Sequence, residues 1–248
     1  MLKKYQINNE IYKQMGDEWY VSDNYVALLR AEARARNPWV SKKINELVKN
    51  ENISVLDVGC GGGLLANELA NMNYNVTGVD IHPEVLNVGK KYDKTGTVKY
   101  QYADAHALPF PDANFDVVCI LDVLEHVDNY IQVLNECVRC LKKGGYIFYH
   151  TFNRNIFSFL FVIKGMEIFV KNTPKNLHVH HLFIKPKEIR NILMELNCNL
   201  KEIKGLNPKI FSKEFMKLIF KGEIDDKFEF KLTNSLISGY IGYAEKLN

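Results

Sequence analysis

The amino-acid sequence predicts an α/β fold with a doubly wound, mostly parallel sheet. Two observations support this prediction. Short β-branched apolar runs alternate along the chain with longer runs whose apolar residues recur at helical spacing. The first apolar run ends in a glycine-rich turn, GCGGG, which leads directly into a helical run. Strands and helices that alternate in this way form βαβ units with right-handed crossovers, and such units build a parallel sheet covered by helices on both faces.

The elements are predicted in a regular order. A helix over residues 39–50 begins after Pro38 and precedes the first strand. Strands are short runs rich in β-branched and aromatic residues, and they are predicted at 53–58, 75–80, 98–104, 115–121, 146–152 and 198–206. The helical runs between them, one opening with proline and one closed by a glycine pair, lie at 64–72, 83–93, 131–143 and 186–196. The run at 235–246 is predicted to return as an edge strand.

Length and composition indicate one globular domain. The 248 residues are 47% hydrophobic and 25% charged, as in an average soluble chain. Because 32 Lys and Arg residues are spread among 29 Asp and Glu residues, no nucleic-acid partner is expected. The first residues lack the apolar core of a signal peptide, so a cytoplasmic location is expected. Cys137 and Cys140 form a CxxC in a helical run with no second pair, and are expected to be helix-face thiols rather than zinc ligands.

The glycine turn predicts a cofactor site. In a doubly wound sheet, ligands bind outside the carboxyl ends of the strands, and the first strand-to-helix turn is the usual cradle. Gly59, Gly61 and Gly63 carry no Cβ, so a ligand can lie against the backbone. Their spacing is tighter than the dinucleotide fingerprint. Asp57 would repel a phosphate but suits a cationic ligand. S-Adenosylmethionine carries an ammonium and a sulfonium, so it fits this turn.

Two further acidic strand ends extend the cofactor prediction. Asp80 ends the second strand, where a carboxylate can accept hydrogen bonds from both ribose hydroxyls. Asp104 and Ala105 end the third strand and are placed for the adenine amino group. Alternatively, these carboxylates could be ordinary polar residues at strand ends, in a fold that binds no nucleotide.

Four segments, VLDVGCGGG, GVD, ADAHALPFPDANFDVV and LKKGGYIFYHTFNRN, resemble the successive motifs of class I S-adenosylmethionine-dependent methyltransferases. The resemblance covers roughly residues 36–205. It implies a Rossmann-like, seven-stranded methyltransferase sheet, mostly parallel with an antiparallel last strand, and methyl transfer by in-line displacement. The resemblance implies ten cofactor-binding residues. Those of the glycine turn would contact the methionine part: Asp57, Gly59, Cys60, Gly61 and Gly63. Asp80 and Ile81 would contact the ribose, Asp104 and Ala105 the adenine, and Leu121 would lie near the sulfur.

A narrower resemblance links the segments LDVLEHV, TFNRN, FIKPKEI and ALLRAEARARNPWV to the polyprenyl-catechol O-methyltransferases of ubiquinone biosynthesis. It implies that the methyl acceptor is a phenol or catechol hydroxyl on a prenylated quinone precursor. It also implies a divalent metal, Mg²⁺ or Zn²⁺, held by Asp122, Glu125 and His126. A metal would favour the phenolate, because only about one phenol in a thousand is ionised at neutral pH. Without a metal, this cluster would cap a helix or border the pocket.

Three further residues are candidates on the acceptor side. His178 matches the family position in the lid and is a candidate general base or acceptor contact, with a solvated histidine in the run HVHH as the alternative. Asn153 and Arg154 lie at the carboxyl end of a strand and are candidates for orienting the acceptor's oxygens. Their alternative role is to stabilise the turn through side-chain caps.

The apolar run at 156–170 is expected to form a helical pair that covers the acceptor. It is too short to span a membrane, but its apolar face would suit a prenyl tail or transient contact with a membrane surface. Packing into the protein's own core is the alternative. The chain is accordingly predicted to form a single methyltransferase domain, 1–248, with four parts. These are an N-terminal helical cap (1–50), a cofactor-binding core (52–152), an apolar lid (153–185), and a C-terminal helix with strands (186–248). The segment MGDEWY of the cap is expected to close over the cofactor.

The sequence therefore predicts a cytoplasmic S-adenosylmethionine-dependent O-methyltransferase, peripheral at the membrane, whose partner is a small-molecule acceptor. Two other functions remain open. A methyltransferase of a small soluble metabolite would have a compact lid and no dependence on lipid. A non-catalytic S-adenosylmethionine-binding protein would keep its function after replacement of Asp122, Glu125 and His126.

Overall fold

Helices and strands alternate along the chain, as the periodicity of the sequence predicts. The computed structural model describes residues 7–247. The strands are β1 Ser54–Val58, β2 Asn75–Asp80, β3 Lys99–Tyr102, β4 Phe115–Leu121, β5 Leu141–Phe152, β6 Cys198–Pro208, β7 Phe230–Thr233 and β8 Gly239–Lys246. The α-helices are α1 Glu18–Val21, α2 Val26–Leu47, α3 Ala66–Ala70, α4 Pro83–Tyr92, α5 Tyr130–Cys140, α6 Ile156–Ser158, α7 Gly165–Phe169, α8 Pro186–Glu195 and α9 Lys213–Lys221. Shorter turns of 3₁₀ helix lie at Asn9–Gln14, Leu124–His126 and His180–Leu182, and a π-helix lies at Phe159–Lys164.

The strands form one sheet in the order β3-β2-β1-β4-β5-β8-β6-β7. The five strands from β3 to β5 are parallel, and β8 is antiparallel to both of its neighbours, β5 and β6. The prediction of a doubly wound, mostly parallel sheet with an antiparallel last strand is therefore confirmed. It places the carboxyl ends of the parallel strands at one edge of the sheet.

Two details of the sheet differ from the prediction. The sheet has eight strands rather than seven, because β7 pairs antiparallel with the end of β6 over Gly205–Pro208. The last strand, β8, is not an edge strand, since it lies between β5 and β6. Residues 239–244 of β8 are all buried, as expected for an interior position.

Both faces of the sheet carry a core. Every residue of β4 is buried, and its side chains alternate between the two faces. Val118 and Ile120 contact the cluster that contains the apolar faces of α5 and α8. Val117 and Cys119 contact the cluster formed with α2 and α3. A strand covered on both faces reads as a continuous apolar run, which explains the sequence FDVVCIL.

Two helix boundaries differ from the prediction. Helix α2 starts at Val26 and has 22 residues, with Pro38 in its interior rather than before its start. An interior proline costs a helical hydrogen bond, but the turns before it are held by burial, with Val26 fully buried and Ala31 1% exposed. Helix α5 ends at Cys140 instead of continuing to residue 143, because Leu141 already pairs with Phe115 of β4. Cys137 and Cys140 are free, buried thiols of α5.

The apolar run after β5 is one helical segment rather than the predicted pair. Helix α6, a π-helix and helix α7 follow one another without a break from Ile156 to Phe169, and this segment is called the lid helix below. Asn155 caps its N-terminus by accepting a hydrogen bond from the Ser158 backbone. Among residues 7–247, no helix combines the length and apolar character needed to cross a membrane.

Candidate active site

One cavity of about 1240 Å³ opens at the carboxyl ends of the parallel strands. Part of its wall is polar and comes from the glycine turn after β1 and from the ends of β2 and β4. Another part is apolar and comes from the lid helix, α9 and β7. Parallel strands bring their ends to one edge of the sheet, so residues far apart in the chain meet in this cavity.

The glycine turn has the backbone geometry that the cofactor prediction requires. Gly59 and Gly61 have φ angles of 66° and 51°, a left-handed conformation that side chains other than glycine rarely adopt. The backbone N–H of Cys60 donates to the Val79 carbonyl at 2.9 Å, which ties the turn to β2. A Cβ on Gly61 would lie 2.5 Å from the Trp19 ring. Glycine at this position therefore lets the Trp19 ring lie directly against the turn.

Two carboxylates flank this turn. Asp57 is 3% exposed, and burial raises its pKa to about 7 although the charge of Arg36 lowers it. Asp80 accepts backbone hydrogen bonds from His82 at 2.9 Å and from Gly61 at 3.1 Å, so it supports the turn directly. Burial also raises the pKa of Asp80. Buried carboxylates beside an open backbone favour a cationic ligand with hydroxyl groups, and S-adenosylmethionine has both features.

Nine of the ten predicted cofactor-binding residues line the cavity: Asp57, Gly59, Cys60, Gly61, Asp80, Ile81, Asp104, Ala105 and Leu121. Gly63 is the exception. It has a φ angle of 82°, and a Cβ there would lie 2.0 Å from the Tyr100 hydroxyl and 3.1 Å from the Gly89 Cα. Gly63 therefore allows α4 and β3 to pack against the turn, and it is not among the described residues that line the cavity.

The N-terminal cap contributes two aromatic residues of the segment MGDEWY, which the sequence analysis did not name individually. Trp19 is buried over Gly61 and Gly62 and lines the cavity. Its indole N–H is buried and has no hydrogen-bond partner among residues 7–247. The Tyr20 hydroxyl donates to the Gly62 carbonyl at 2.9 Å. The segment MGDEWY thus lies against the glycine turn, and its two aromatic residues were the available signal.

Asp122 belongs to a buried ion network at the end of β4. Its carboxylate contacts the Arg36 guanidinium and the His150 ring. Burial acts to raise the pKa of Asp122, but the charges of Arg36 and then His150 outweigh it and hold the pKa well below the usual range. Asp122 has a φ angle of 59°, which turns the chain sharply after the strand. Asp122 is therefore an ionised partner of Arg36.

Glu125 and His126 also form hydrogen bonds with other groups of the protein. The Thr151 hydroxyl donates to the Glu125 carboxylate at 2.8 Å, and burial followed by the charge of Asp122 raises the pKa of Glu125 to about 8. His126 Nδ1 lies 3.2 Å from the Asn9 side-chain oxygen. An amide oxygen only accepts, so Nδ1 carries the proton and Nε2 can accept from the Tyr12 hydroxyl at 3.3 Å.

These residues do not fit the metal ion that the resemblance implies. Asp122 is paired with Arg36 and His150, Glu125 does not line the cavity, and both nitrogens of His126 face protein groups. Across residues 7–247, no three His, Cys, Asp or Glu side chains are grouped so that they could hold a metal ion. The predicted ligands Asp122, Glu125 and His126 are not brought together, and no step of the reaction is derived through a metal.

The other predicted acceptor residues divide into two groups. His178 lines the cavity, with its ring 5.4 Å from that of His126 and 5.1 Å from that of Phe152. Asn153 instead donates to the Leu236 carbonyl at 2.7 Å, and Arg154 donates to the Phe183 carbonyl at 3.1 Å. Neither residue is among the described residues that line the cavity. Their contacts hold the strand end to neighbouring loops, which is the alternative role that the sequence left open.

Comparison with known proteins shows the family to which this chain belongs. A profile described as a methyltransferase domain matches residues 56–149. A ubiquinone biosynthesis O-methyltransferase of Aliivibrio fischeri is 38% identical over 174 residues, which cover 66% of this chain and 74% of that protein. One of Vibrio cholerae is 35% identical over 211 residues, which cover 82% of this chain and 84% of that protein. This chain belongs to the ubiquinone biosynthesis O-methyltransferase family.

Solved structures show the same fold for this O-methyltransferase. Magnesium protoporphyrin IX methyltransferase from Synechocystis, with bound SAH, has a TM-score of 0.66 at 15% identity, covering 96% of this chain and 97% of that chain. A putative methyltransferase from Bacillus halodurans has a TM-score of 0.60 at 20% identity, covering 84% and 99%. The enzyme is an S-adenosylmethionine-dependent O-methyltransferase, and the glycine turn with its carboxylates fits that cofactor.

The raised pKa of Asp57 makes cofactor binding by this O-methyltransferase depend on pH. The free enzyme holds Asp57 ionised above its pKa of about 7 and protonated below it. The cofactor's ammonium would stabilise the ionised form, so the affinity for S-adenosylhomocysteine is expected to fall by up to about tenfold per pH unit below pH 7. Calorimetric titrations between about pH 6 and 8.5 measure this slope.

The matched control is Asp57→Asn. This variant removes the titrating group, so its affinity for S-adenosylhomocysteine should be lower and nearly independent of pH across the same range. A wild-type affinity that stays constant from about pH 6 to 8 would contradict the assignment of Asp57 to the cofactor's ammonium.

Proposed function

We propose that this enzyme methylates a phenolic or catecholic hydroxyl of a prenylated quinone precursor. The names of its relatives, which refer to ubiquinone biosynthesis, support this class of acceptor. The observation that carries the proposal is the composition of the cavity wall. One cavity joins the polar cofactor residues to a long apolar surface, so a single ligand could present a polar ring to the cofactor and an apolar tail to that surface.

The apolar surface comes from three elements that lie far apart in the sequence. The lid helix, α9 and β7 contribute the residues Leu160, Phe161, Met166, Ile168, Phe169, Phe215, Leu218, Ile219 and Phe230. Isoprene units are apolar and branched, and each buried CH₂ group contributes about 0.8 kcal/mol to binding. A surface of this kind suits a prenyl chain better than it suits a small polar metabolite.

Methyl transfer requires an acceptor oxygen that loses its proton as it reacts. When bound, S-adenosylmethionine would supply a methyl group on a sulfonium, and transfer of that methyl to the acceptor oxygen would leave the electron pair of the broken carbon–sulfur bond on sulfur. Burial, followed by the nearby His126, lowers the pKa of His178 to about 3, so its ring is neutral at pH 7. The neutral ring of His178 can therefore accept a hydrogen bond from the phenolic hydroxyl and orient its oxygen, but with so low a pKa it is too weak a base to hold the proton, which passes to solvent.

Exposed apolar side chains outside the core support transient contact with a membrane surface. They lie on the lid helix and on the segment around α9: Phe161, Ile168, Phe211, Met216 and Phe220. Phe211 is 94% exposed and Phe220 is 78% exposed. Lys213 and Lys221 on α9 add positive charge, which is attractive to anionic lipid headgroups. Such contact would let the enzyme take a prenylated acceptor directly from the bilayer.

Methyl transfer from labelled S-adenosylmethionine to a prenylated catechol and to its unprenylated counterpart tests the proposal. The prenylated acceptor should have a kcat/KM at least about tenfold higher, because its tail gains apolar contacts. Ile219 lines the cavity, so Ile219→Ala should reduce this preference about threefold to tenfold. The neighbouring Phe220 is exposed and outside the cavity lining, so Phe220→Ala should preserve the preference in solution and slow transfer only when the acceptor is held in vesicles.

Equal kcat/KM values for the two acceptors would contradict the proposed prenyl site. Absence of transfer to both catechols, with normal binding of S-adenosylhomocysteine, would leave the enzyme class standing and exclude catechols as acceptors. The calorimetric control separates these results from a loss of folding.

A further inference from the structure

Glu32 is a buried acidic residue to which neither the cofactor site nor the proposed function assigns a role. It lies on α2, is 6% exposed and lines the cavity. Buried acidic side chains are normally paired with a cation or satisfied by hydrogen bonds, because an unsatisfied polar group is costly to remove from water. Among residues 7–247, no group acts on the Glu32 carboxyl through a hydrogen bond. This unpaired carboxyl in a cavity wall indicates that a ligand supplies its partner.

The charges around Glu32 favour the neutral form of its carboxyl. Burial, followed by the charge of Asp122, raises the pKa of Glu32 well above its usual value. The charge of Arg36 acts to lower this pKa, but the Arg36 guanidinium contacts the Asp122 carboxylate and does not offset the rise. A neutral carboxyl has one O–H donor and a carbonyl oxygen that accepts. Glu32 is therefore suited to a ligand that carries a hydroxyl group.

Glu32 lies between the polar and the apolar parts of the cavity wall. Arg36 is one turn further along α2, about 6 Å along the helix axis, and contacts the polar residues at the end of β4. One turn in the other direction, Leu28 and Leu29 line the cavity and pack against the apolar cluster that contains Leu218 of α9. All these residues except Leu218 belong to one helix, so their order along its axis is fixed.

Helix α2 is held in this position by contacts from another of its faces. Arg34 donates to the carbonyls of Asp226 and Phe228 at 2.8 and 3.1 Å. Val40 is fully buried in the core against the sheet. Because the helix is fixed on both sides of Glu32, the carboxyl cannot reach bulk solvent through a shift of the backbone. Its partner must come from within the cavity.

We propose that Glu32 forms a hydrogen bond with the second, unreacting hydroxyl of a catechol acceptor and thereby selects catechols over phenols that lack this hydroxyl. The inference rests on the proposed function, because the ring of a prenylated acceptor would lie where the polar and apolar parts of the cavity meet. A site that binds a substrate hydroxyl through a buried polar group strongly rejects the analogue without that hydroxyl, since the buried group is then left unpaired.

The experiment compares methyl transfer to a prenylated catechol and to the prenylated phenol that lacks the second hydroxyl. The wild-type enzyme should favour the catechol about 10- to 100-fold in kcat/KM. Glu32→Leu, which has a similar size and no polar atoms, should reduce this ratio to about threefold or less. Glu32→Gln keeps a neutral side chain with a donor and an acceptor, so it should retain most of the ratio.

Glu46→Leu is the matched control, since it removes a carboxyl from an exposed position of the same helix and should leave the ratio unchanged. Calorimetry with S-adenosylhomocysteine checks that each variant folds, and Glu32→Leu should keep an affinity within about threefold of the wild type. Glu32→Asp covers the case in which Glu32→Leu does not fold. Its carboxyl is one methylene shorter, so the catechol-to-phenol ratio should fall at least about threefold.

Three results would overturn the proposal. A ratio that is unchanged in Glu32→Leu, while the preference for prenylated acceptors persists, would exclude the Glu32 contact and leave the proposed function standing. An equal loss of transfer to both acceptors, together with weaker binding of S-adenosylhomocysteine, would assign Glu32 a structural role. Absence of binding and of transfer for both acceptors in the wild-type enzyme would exclude the proposed acceptor and, with it, the contact.

Discussion

Asp80→Ala is expected to weaken S-adenosylhomocysteine binding about 100- to 10,000-fold, because the two ribose hydroxyls would lose a charged acceptor worth about 1.5–3 kcal/mol per hydrogen bond. Asp80 lines the cavity at the end of β2. It also accepts hydrogen bonds from the backbone of Gly61 and His82, so part of the loss comes from the turn itself. Calorimetry with S-adenosylhomocysteine measures the total effect.

The control for this prediction is Asp80→Asn. Asparagine keeps one side-chain oxygen for the backbone N–H groups of the turn but loses the negative charge. Its affinity should lie between those of the wild type and Asp80→Ala. Its thermal stability should fall less than that of Asp80→Ala, because asparagine keeps one of the two hydrogen bonds that the carboxylate accepts from the Gly61 and His82 backbone. An unchanged affinity in Asp80→Ala would exclude Asp80 as the ribose-binding residue.

The second large effect is expected at Gly63. Gly63→Ala should lower the free energy of unfolding by about 2–5 kcal/mol, combining the strain of a left-handed alanine with an overpacked contact. The new Cβ would lie 2.0 Å from the Tyr100 hydroxyl, and that hydroxyl donates to Asn67 at 2.7 Å, so moving it breaks a further contact. The melting temperature should fall by about 5–15 °C, as measured by calorimetry or circular dichroism.

Gly96 provides a matched control for the backbone strain. Its φ angle is 66°, and no atom lies within 4 Å of a Cβ built there. Gly96→Ala should therefore cost only the left-handed strain of about 1–2 kcal/mol. If the two variants lose equal stability, the contact with Tyr100 is not what requires glycine at position 63.

Local sequence patterns were sufficient to predict most strands of the sheet. The runs VLDV and FDVVCIL consist of β-branched and apolar residues with one aspartate each, and they form the central strands β1 and β4. The glycine spacing after β1 was informative because a left-handed φ is a local property of the backbone. The extra strand β7 was not predicted, because its pattern is short and only partly buried.

The site residues that could be predicted from the sequence are those whose position at the end of a strand determines their role. Asp57, Asp80 and Asp104 line the cavity because parallel strands end at one edge of a sheet. Asn153 and Arg154 also lie beyond a strand end, but their side chains are used by neighbouring loops. Position along a strand therefore predicts which edge a residue occupies, and it does not predict where the side chain points.

The fold class, the cofactor turn and the enzyme family can be inferred from the sequence, because they depend on periodicity, glycine conformation and motif spacing over short stretches. The ion network of Arg36, Asp122 and His150 and the packing of Trp19 over the glycine turn become visible in the folded chain alone. Arg36 and His150 are 114 residues apart. No local pattern encodes such a pairing, since it depends on how α2 packs across the ends of β4 and β5 and on the free energy of burying those charges together.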